Sequence, residues 1–282
     1  NAAGRMGHAR LAVEMLTGAS RQRSCEIAEY LDTQNTERRK VQDDITAQAV
    51  EMVQAQGFDS PDRRAIVVGG DNWHGGVIGI VAARLVSRFG RPAIVISLGD
   101  EVSRGSGRSI DGFNMHTALT ACSEHLEGFG GHAMAAGVTL DRNNLEAFSE
   151  AFVAYASAHI TDQQLVPVLK IDATATLADI NYDTVRSLTK MAPFGQGNPA
   201  PVVVVKGCRV LVAPKRIGAS GTTVSMTLGQ DGVNLRAIGF GMGDLTEALV
   251  GVNTVDVAFE PQLNTFRGNT TVQAMLRDVR WD

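Results

Sequence analysis

Residues 65–80 read AIVVGGDNWHGGVIGI, and this stretch decides the fold of the first half of the chain. The apolar run at 65–69 predicts a short buried strand, and the small and apolar residues of 76–89 predict a helix after it. A second apolar strand is predicted over 92–97. Because a strand, a helix and a strand in this order favour parallel pairing, we predict an α/β domain with a mixed sheet and flanking helices.

The turn at 71–76, DNWHGG, lies between this strand and this helix. A helix N-terminus with glycines attracts anions, because its free N–H groups and its dipole both face the ligand. The sequence does not have the spacing or the lysine of a P-loop. Asp71 and His74 are too few to hold a metal ion, so we predict no metal site in this chain. We expect Trp73 to pack in the core rather than to stack on a base.

The chain before this stretch is predicted to be helical. Residues 1–33 are expected to form short helices, and residues 34–56 one long helix that Thr36 caps and Gly57 ends. A helix of about 20 residues spans about 30 Å. The polar faces of the long helix suit a connector between two domains, and they suit a surface helix of one domain equally well.

The second half of the chain has a different pattern, with short β-like segments separated by Gly, Asn and Asp turns. Several short strands with few helices between them predict a small, mostly β barrel, for which the oligonucleotide-binding (OB) fold is the natural candidate. We place a domain boundary near residue 164. The predicted strands cover residues 166–175, 201–213, 222–229, 233–240, 255–260 and 270–280, and the predicted helices cover 182–191 and 244–250.

The composition of the 282 residues is that of a globular protein, with 44% hydrophobic and 20% charged residues. No apolar run approaches the roughly 18 residues of a membrane span, so we expect no membrane partner. The three cysteines stand apart, which excludes a disulfide scaffold and fits a reducing cytoplasm. Because the formal net charge is −4, binding of nucleic acid requires a local basic groove. The chain begins inside a motif at Asn1, so we expect it to be a piece of a longer protein.

The densest polar cluster is SRGSGRS at residues 103–109, which the pattern predicts as a turn. Glycines let a backbone approach a ligand closely, serine hydroxyls donate hydrogen bonds, and arginines bind phosphate oxygens in a bidentate manner. The cluster suits a phosphate, and a solvated hairpin turn with the same composition is the alternative. Arg104 is a further candidate DNA contact. The candidate residues for binding phosphate at the 5′ end are Gly105, Ser106, Gly107, Arg108 and Ser109, together with Gly130 and Gly131.

A second candidate is the sequence FGGH at residues 129–132. Gly130 and Gly131, directly before a histidine, imply a tight backbone that presents the imidazole at its edge. We predict that His132 donates to a phosphate or transfers protons near neutral pH. A core histidine bonded to a carbonyl is the alternative.

Other residues give weaker signals. Arg5, among small residues, is a candidate to reach an anion, and we interpret the loop 192–199 as a bridge that docks the second domain. Basic residues of the predicted barrel are candidates to line a nucleic acid groove, and two phenylalanines are candidates to stack on bases. These barrel candidates are Lys206, Arg209, Lys215, Arg216 and Arg236, with Phe240 and Phe266, and His74 is a further candidate DNA contact.

The motifs follow one another in a characteristic order. The set resembles the RecJ family, the bacterial single-strand-specific 5′→3′ DNA exonucleases of the DHH phosphoesterase superfamily, over nearly the whole chain. The resemblance implies the end of an upstream domain and a long connecting helix over 1–59, a DHH-associated α/β domain over 60–164 and an OB-like barrel over 165–282. The motifs are NAAGR at 1–5, WHGGVIG at 73–79, GSGRS at 105–109, GGH at 130–132 with AAG at 135–137, and PFGQGNP at 193–199.

The same resemblance implies roles for the candidate residues. Arg5 and His132 would contact the scissile phosphate, while Ser106, Arg108 and Ser109 would hold phosphates at the 5′ end of single-stranded DNA. The Mn²⁺ or Mg²⁺ that activates the attacking water would be bound by a DHH domain outside this chain. The resemblance thus implies the substrate-binding part of an exodeoxyribonuclease of DNA repair and recombination, which we expect to be cytoplasmic, monomeric and inactive as this fragment alone.

Two other functions stay open. The chain is alternatively a stand-alone nucleic-acid-binding module without nuclease activity. It is alternatively a DHH-family phosphoesterase of short oligonucleotides, although the predicted barrel counts against a small-molecule hydrolase.

Overall fold

The computed structural model describes residues 3–6, 9–100 and 102–281, which form two compact units. The first unit ends at Pro167 and the second begins at Val168.

The first unit opens with helices. A long helix, α3, follows two short ones, and Ser20 caps it by accepting a hydrogen bond from the N–H of Arg23. The prediction that the long helix begins at residue 34 is wrong. It begins at Arg21, since no Gly or Pro interrupts residues 21–33. The bounds are α1 (Ala3–Met6), α2 (Arg10–Thr17) and α3 (Arg21–Ala55).

A five-stranded sheet forms the centre of the first unit. Its strand order is β1-β2-β3-β5-β4, with β1 and β2 parallel and every other neighbouring pair antiparallel. The strands are β1 (Ile66–Asp71), β2 (Ala93–Leu98), β3 (Val102–Arg108), β4 (Gly128–Gly131) and β5 (Ala135–Asp141). The helices among and after them are α4 (Gly75–Phe89), α5 (Met115–Ala121), α6 (Leu145–His159) and α7 (Asp162–Leu165). The predicted mixed α/β fold is confirmed.

Helices cover the sheet on both faces. Ile66 and Val95 pack with α3 and α4 on one face, while Val67 and Ile94 pack with α5 and α6 on the other. This division follows from the alternation of side chains along a strand. It also means that every second residue of β3 points toward the α4 face.

The prediction of a turn at residues 103–109 is wrong, because most of this segment is strand β3. The glycines make the strand possible by leaving room for the core. A β-carbon at Gly105 would stand 2.6 Å from the Val138 side chain, and one at Gly107 would stand 3.1 Å from Met115 Sδ. The polar cluster is therefore fixed in a sheet and is not a solvated hairpin turn.

The second unit is a closed five-stranded β-barrel in which β7 pairs with both β8 and β10. Parallel pairing of β9 with β11, and a helix between β9 and β10, complete an OB-like topology, so the predicted barrel is confirmed. The strand predicted over 166–175 is largely wrong, since only Ala173–Thr174 (β6) pairs there. The barrel strands are β7 (Val203–Ile217), β8 (Thr223–Gln230), β9 (Val233–Gly239), β10 (Thr254–Phe266) and β11 (Asn269–Arg280), and the helices are α8 (Tyr182–Leu188) and α9 (Leu245–Ala248).

Candidate functional site

The turn before α4 is fixed by a contact with α3 and by a hydrogen bond within the turn. Trp73 is buried, and its Nε1–H donates to Gln48 Oε1 of α3 at 2.9 Å, so its predicted packing role is confirmed. His74 is exposed, and its Nδ1 accepts the N–H of Gly76 at 3.0 Å, which caps the helix. The N-terminal end of α4 is therefore held in a fixed position beside the sheet.

Two arginines contact this end of α4. Arg5 Nη1 donates to the Gly76 carbonyl at 3.1 Å. A β-carbon at Gly79 would stand 3.0 Å from Arg108 Nη2 and 2.9 Å from Ser106 Oγ. A β-carbon at Gly76 would collide with the Arg5 backbone carbonyl. Because residues three apart share a helix face, Gly76 and Gly79 together leave room for the Arg5 backbone and for the Arg108 guanidinium.

The charges of these two arginines are not neutralised. Burial, together with the positive charge of Arg5, lowers the pKa of Arg108. Among the described residues, neither arginine forms an ion pair with a carboxylate, whereas Arg84 pairs with Asp43 at 2.6 Å. Two nearby cations without a counter-charge favour the binding of an anion.

Arg108 also contacts its own strand. Its Nη1 donates to Ser106 Oγ at 3.1 Å and to the Gly107 carbonyl at 2.7 Å. Ser106 and Arg108 thus form one connected pair on the α4 side of β3, and Arg104 lies on the same side by strand alternation.

His132 is connected to the strand position of Arg108 through Ala135. Its N–H donates to the Ala135 carbonyl at 2.8 Å, and Ala135 pairs with Arg108 across β5 and β3. Gly131, directly before it, has φ +148°, and a β-carbon there would stand 2.4 Å from the Ala135 oxygen. Only glycine fits at this position, so the local backbone fixes where the exposed histidine leaves the sheet.

The structure does not bring every candidate to this face. Ser109 is buried on the opposite face, where its hydroxyl donates to the Phe113 carbonyl at 2.6 Å. Gly105 and Gly107 also turn toward the core on that face. The alternation of side chains along β3 and into Ser109 places these three on the face opposite to Ser106 and Arg108, so they lie outside the site.

Comparisons with known proteins identify a domain in each of the two units. Two family models match the chain: the DHHA1 domain over residues 62–158 and the RecJ OB domain over residues 171–278, which together cover more than half of it. The chain thus contains a DHHA1 domain followed by a RecJ OB domain.

Similar RecJ proteins extend along nearly the whole chain. The "single-stranded-DNA-specific exonuclease RecJ" of Bacillus subtilis is 36% identical over 99% of this chain and 35% of its own length. The protein of the same description from Salmonella typhimurium is 29% identical over 99% of the chain and 49% of its own length. The chain therefore spans between about a third and a half of these two relatives.

A solved structure supports the same relationship. RecJ of Thermus thermophilus in complex with Mg²⁺ matches with a TM-score of 0.80 and 26% identity, covering all of this chain and 42% of that one. A second structure of that protein contains Mn²⁺.

In the barrel, most of the basic residues that are candidates for DNA binding are exposed to solvent. Lys206, Arg209, Lys215 and Arg236 are exposed. Lys215 of β7 pairs with Ser225 of β8, and Ser225 Oγ accepts from Arg236 Nε of β9 at 3.3 Å, so two cations flank one hydroxyl. In OB folds the second and third strands, here β8 and β9, form the usual nucleic acid surface.

Arg216 differs from the other basic candidates of the barrel. Its Nη2 lies 2.9 Å from Glu247 and 3.4 Å from Asp244, so its charge is already paired. The two phenylalanine candidates are well exposed, Phe240 by 69% and Phe266 by 66%. The Arg267 guanidinium lies 5.2 Å from the centre of the Phe266 ring, which gives that hairpin tip both a flat apolar surface and a charge.

The part of the chain that the structure describes contains no set of side chains that could ligate a divalent ion. No three His, Cys, Asp or Glu side chains lie close enough there to hold one. The described residues therefore do not fit the Mg²⁺ or Mn²⁺ of the Thermus structures. None of the helices within the described ranges combines the length and the apolar character that a bilayer crossing needs.

Sequence reasoning missed two residues of this site. Gly79 and Gly137 appear in the motifs at 73–79 and 135–137 without a predicted role in binding, whereas Gly76 belongs to the turn that was considered as an anion site. Gly79 lies against the Arg108 guanidinium, and Gly137 pairs with Ser106. The only signal was an unusual density of glycine in segments predicted as helix and strand.

Proposed function

We propose that this chain is the substrate-binding part of a RecJ-like, single-strand-specific 5′→3′ exodeoxyribonuclease. Its first unit holds phosphates of the DNA strand, and its barrel binds the same strand through charge and stacking. The observation that carries the proposal is the pair of un-neutralised arginines, Arg5 and Arg108, on the glycine face of α4.

Each residue of the site has a role that its position supports. Arg108 and Ser106 hold the 5′ phosphate, because a guanidinium and a hydroxyl already joined to each other present donors without further ordering. Arg5 and His132 contact the scissile phosphate and stabilise its developing negative charge. Among the barrel residues, Lys215, Arg236 and Phe266 contact the strand farther from its 5′ end.

Hydrolysis of the phosphodiester bond belongs, in this proposal, to the complete enzyme. Because the described residues offer no divalent-metal site, we assign no catalytic step to this chain alone. We expect the enzyme to work in the cytoplasm as a monomer. Incubation of the chain with Mn²⁺ and a labelled single strand should leave the strand intact.

Fluorescence anisotropy with three DNAs at one moderate salt concentration tests the binding. The probes are a 5′-phosphorylated single strand, the same strand with a 5′-hydroxyl, and a blunt duplex. We expect the phosphorylated strand to bind best, and Arg108→Ala to remove its advantage, about tenfold in affinity for a charge-assisted contact. Arg84→Ala is the matched control. It also removes one guanidinium charge, but that charge is already paired with Asp43. Binding that ignores the 5′ phosphate, or no binding to single strands, would overturn the proposal.

A further inference from the structure

Strand β1 is an edge of the five-stranded sheet, and alternate residues of its backbone have no partner on that edge. The N–H of Ile66 donates to the Pro92 carbonyl directly before β2, so every second residue from Ile66 directs its backbone polar groups toward β2. Val67 and Gly69 therefore direct theirs toward the free edge. No hydrogen bond within the described ranges reaches the N–H or the carbonyl of these two residues.

These unpaired groups belong to residues that are buried. Val67 is only 3% exposed, and Gly69 is buried as well. A buried backbone N–H or C=O without a hydrogen bond costs free energy, and roughly nine in ten of such groups in folded proteins are paired. The free edge of β1 thus offers two donors and two acceptors that the described residues leave unused.

A groove of about 560 Å³ lies along this edge, and Val67 and Gly69 line it. The end of α3 and the segment after it form one wall, and the first turns of α6 form the other. Strand β1 has 6 residues, which corresponds to an edge about 20 Å long. Arg142 also lines the groove, but its charge is paired with Asp71 at 2.6 Å.

The two walls differ in chemistry. Met52 and Phe58 make the α3 wall largely apolar, and the Arg63 guanidinium on that side lies 4.8 Å from the centre of the Phe58 ring. On the α6 wall, Glu146 and Glu150 are exposed and lie four residues apart on one face of the helix. Neither carboxylate forms an ion pair with a described residue. Because an extended chain directs successive side chains to opposite faces, one wall favours apolar side chains and the other favours cations.

We propose that the free edge of β1 binds an extended segment of a partner protein in which basic residues alternate with apolar ones. The segment adds a strand to the sheet, and its backbone pairs with Val67 and Gly69. Its basic side chains face Glu146 and Glu150, and its apolar side chains face Met52. In this mode of recognition the main-chain hydrogen bonds give affinity and the alternate side chains give specificity. The inference does not depend on DNA binding by the arginines.

Anisotropy with a labelled eight-residue peptide, in which lysine and valine alternate, tests this docking site. We expect saturable binding, and at least about tenfold weaker binding when glutamate replaces lysine or when alternate backbone nitrogens are methylated. The double variant Glu146→Lys, Glu150→Lys should weaken binding of the lysine peptide about tenfold, because two attractions become two repulsions. Glu37→Lys is the matched control, since this exposed residue of α3 does not line the groove. Thermal unfolding should show the same melting temperature for all three proteins.

Hydrogen exchange, followed residue by residue by NMR, identifies the strand that pairs. The peptide should slow the exchange of the Val67 and Gly69 amides at least tenfold and leave Val68, already bonded to β2, unchanged. No binding of the lysine peptide, undiminished binding of its methylated form, or unchanged exchange at Val67 and Gly69 would overturn the proposal. Protection of these amides by raising the chain concentration without peptide would also overturn it, and would identify a second copy of the chain as the occupant.

Discussion

The Nη2 atom of Arg108 occupies the space where a side chain on Gly79 would begin, 3.0 Å from the position of that β-carbon. Helix α4 contributes no side chain at this contact, so the side chains of β3 pack against the helix backbone. The Ser106 hydroxyl lies equally close, at 2.9 Å. The direction of the guanidinium therefore depends on a residue that does not itself touch DNA in the proposed site.

Gly79→Ala is expected to weaken binding of the 5′-phosphorylated strand about tenfold while raising the stability of α4. Alanine adds about 1 kcal/mol of helix propensity but displaces Arg108 and Ser106. Anisotropy and thermal unfolding measure the two effects separately. Ser87→Ala, an exposed position of the same helix, reports propensity alone. In an Arg108→Ala background, Gly79→Ala should cost little more, and full additivity would contradict the positioning role.

Gly70→Ala is expected to destabilise the first unit by about 2–3 kcal/mol, because its β-carbon would stand 2.2 Å from the Trp73 ring, held in place by Gln48. Chemical denaturation of the first unit measures the loss. Gly75→Ala, where nothing lies within 4 Å, is the control. In a Trp73→Leu background the same substitution should be nearly neutral. An equal loss there would show that the ring is not the obstacle.

The sequence was sufficient to predict the architecture, but not to predict which face of the sheet each candidate site residue occupies. The apolar runs and the helix period predicted the sheet and most helices, because local patterning reports burial directly. Whether Ser106 or Ser109 faces α4 depends on the pleat of a strand that the pattern predicted as a turn. The pairing of Arg216 with Glu247, 31 residues away, depends on tertiary structure alone.

The cysteines are expected to differ sharply in reactivity. Burial, and secondarily the charges of Glu124 and Asp256, raises the pKa of Cys122 and of Cys208 to about 11 from an ordinary 9.0. Alkylation at pH 8, followed by mass spectrometry, should therefore modify only the exposed Cys25. Chain denatured in urea should be modified at all three sites. Rapid labelling of either buried thiol in the folded chain would contradict the prediction.

The same shifts have a consequence at high pH. A thiol whose pKa is raised by folding releases its proton first in the unfolded chain, so its contribution to stability is complete below pH 9. That contribution is lost as the pH rises through about 11. The free energy of unfolding should fall over this interval, and Cys208→Ala should flatten the fall in the second unit. An identical pH profile for wild type and variant would contradict the assignment.

Two neighbouring basic residues of the barrel should contribute unequally to DNA binding. Lys215 is exposed and pairs with Ser225 across the strands. Arg216 instead donates hydrogen bonds to Glu247, and this contact lowers the pKa of the Glu247 carboxyl. We expect Lys215→Ala to reduce the slope of log affinity against log salt by about 1, as the loss of one phosphate contact does. Arg216→Ala should leave the slope almost unchanged, because its charge is already compensated. Equal reductions in the two variants would show that Arg216 exchanges its carboxylate partner for phosphate when DNA binds.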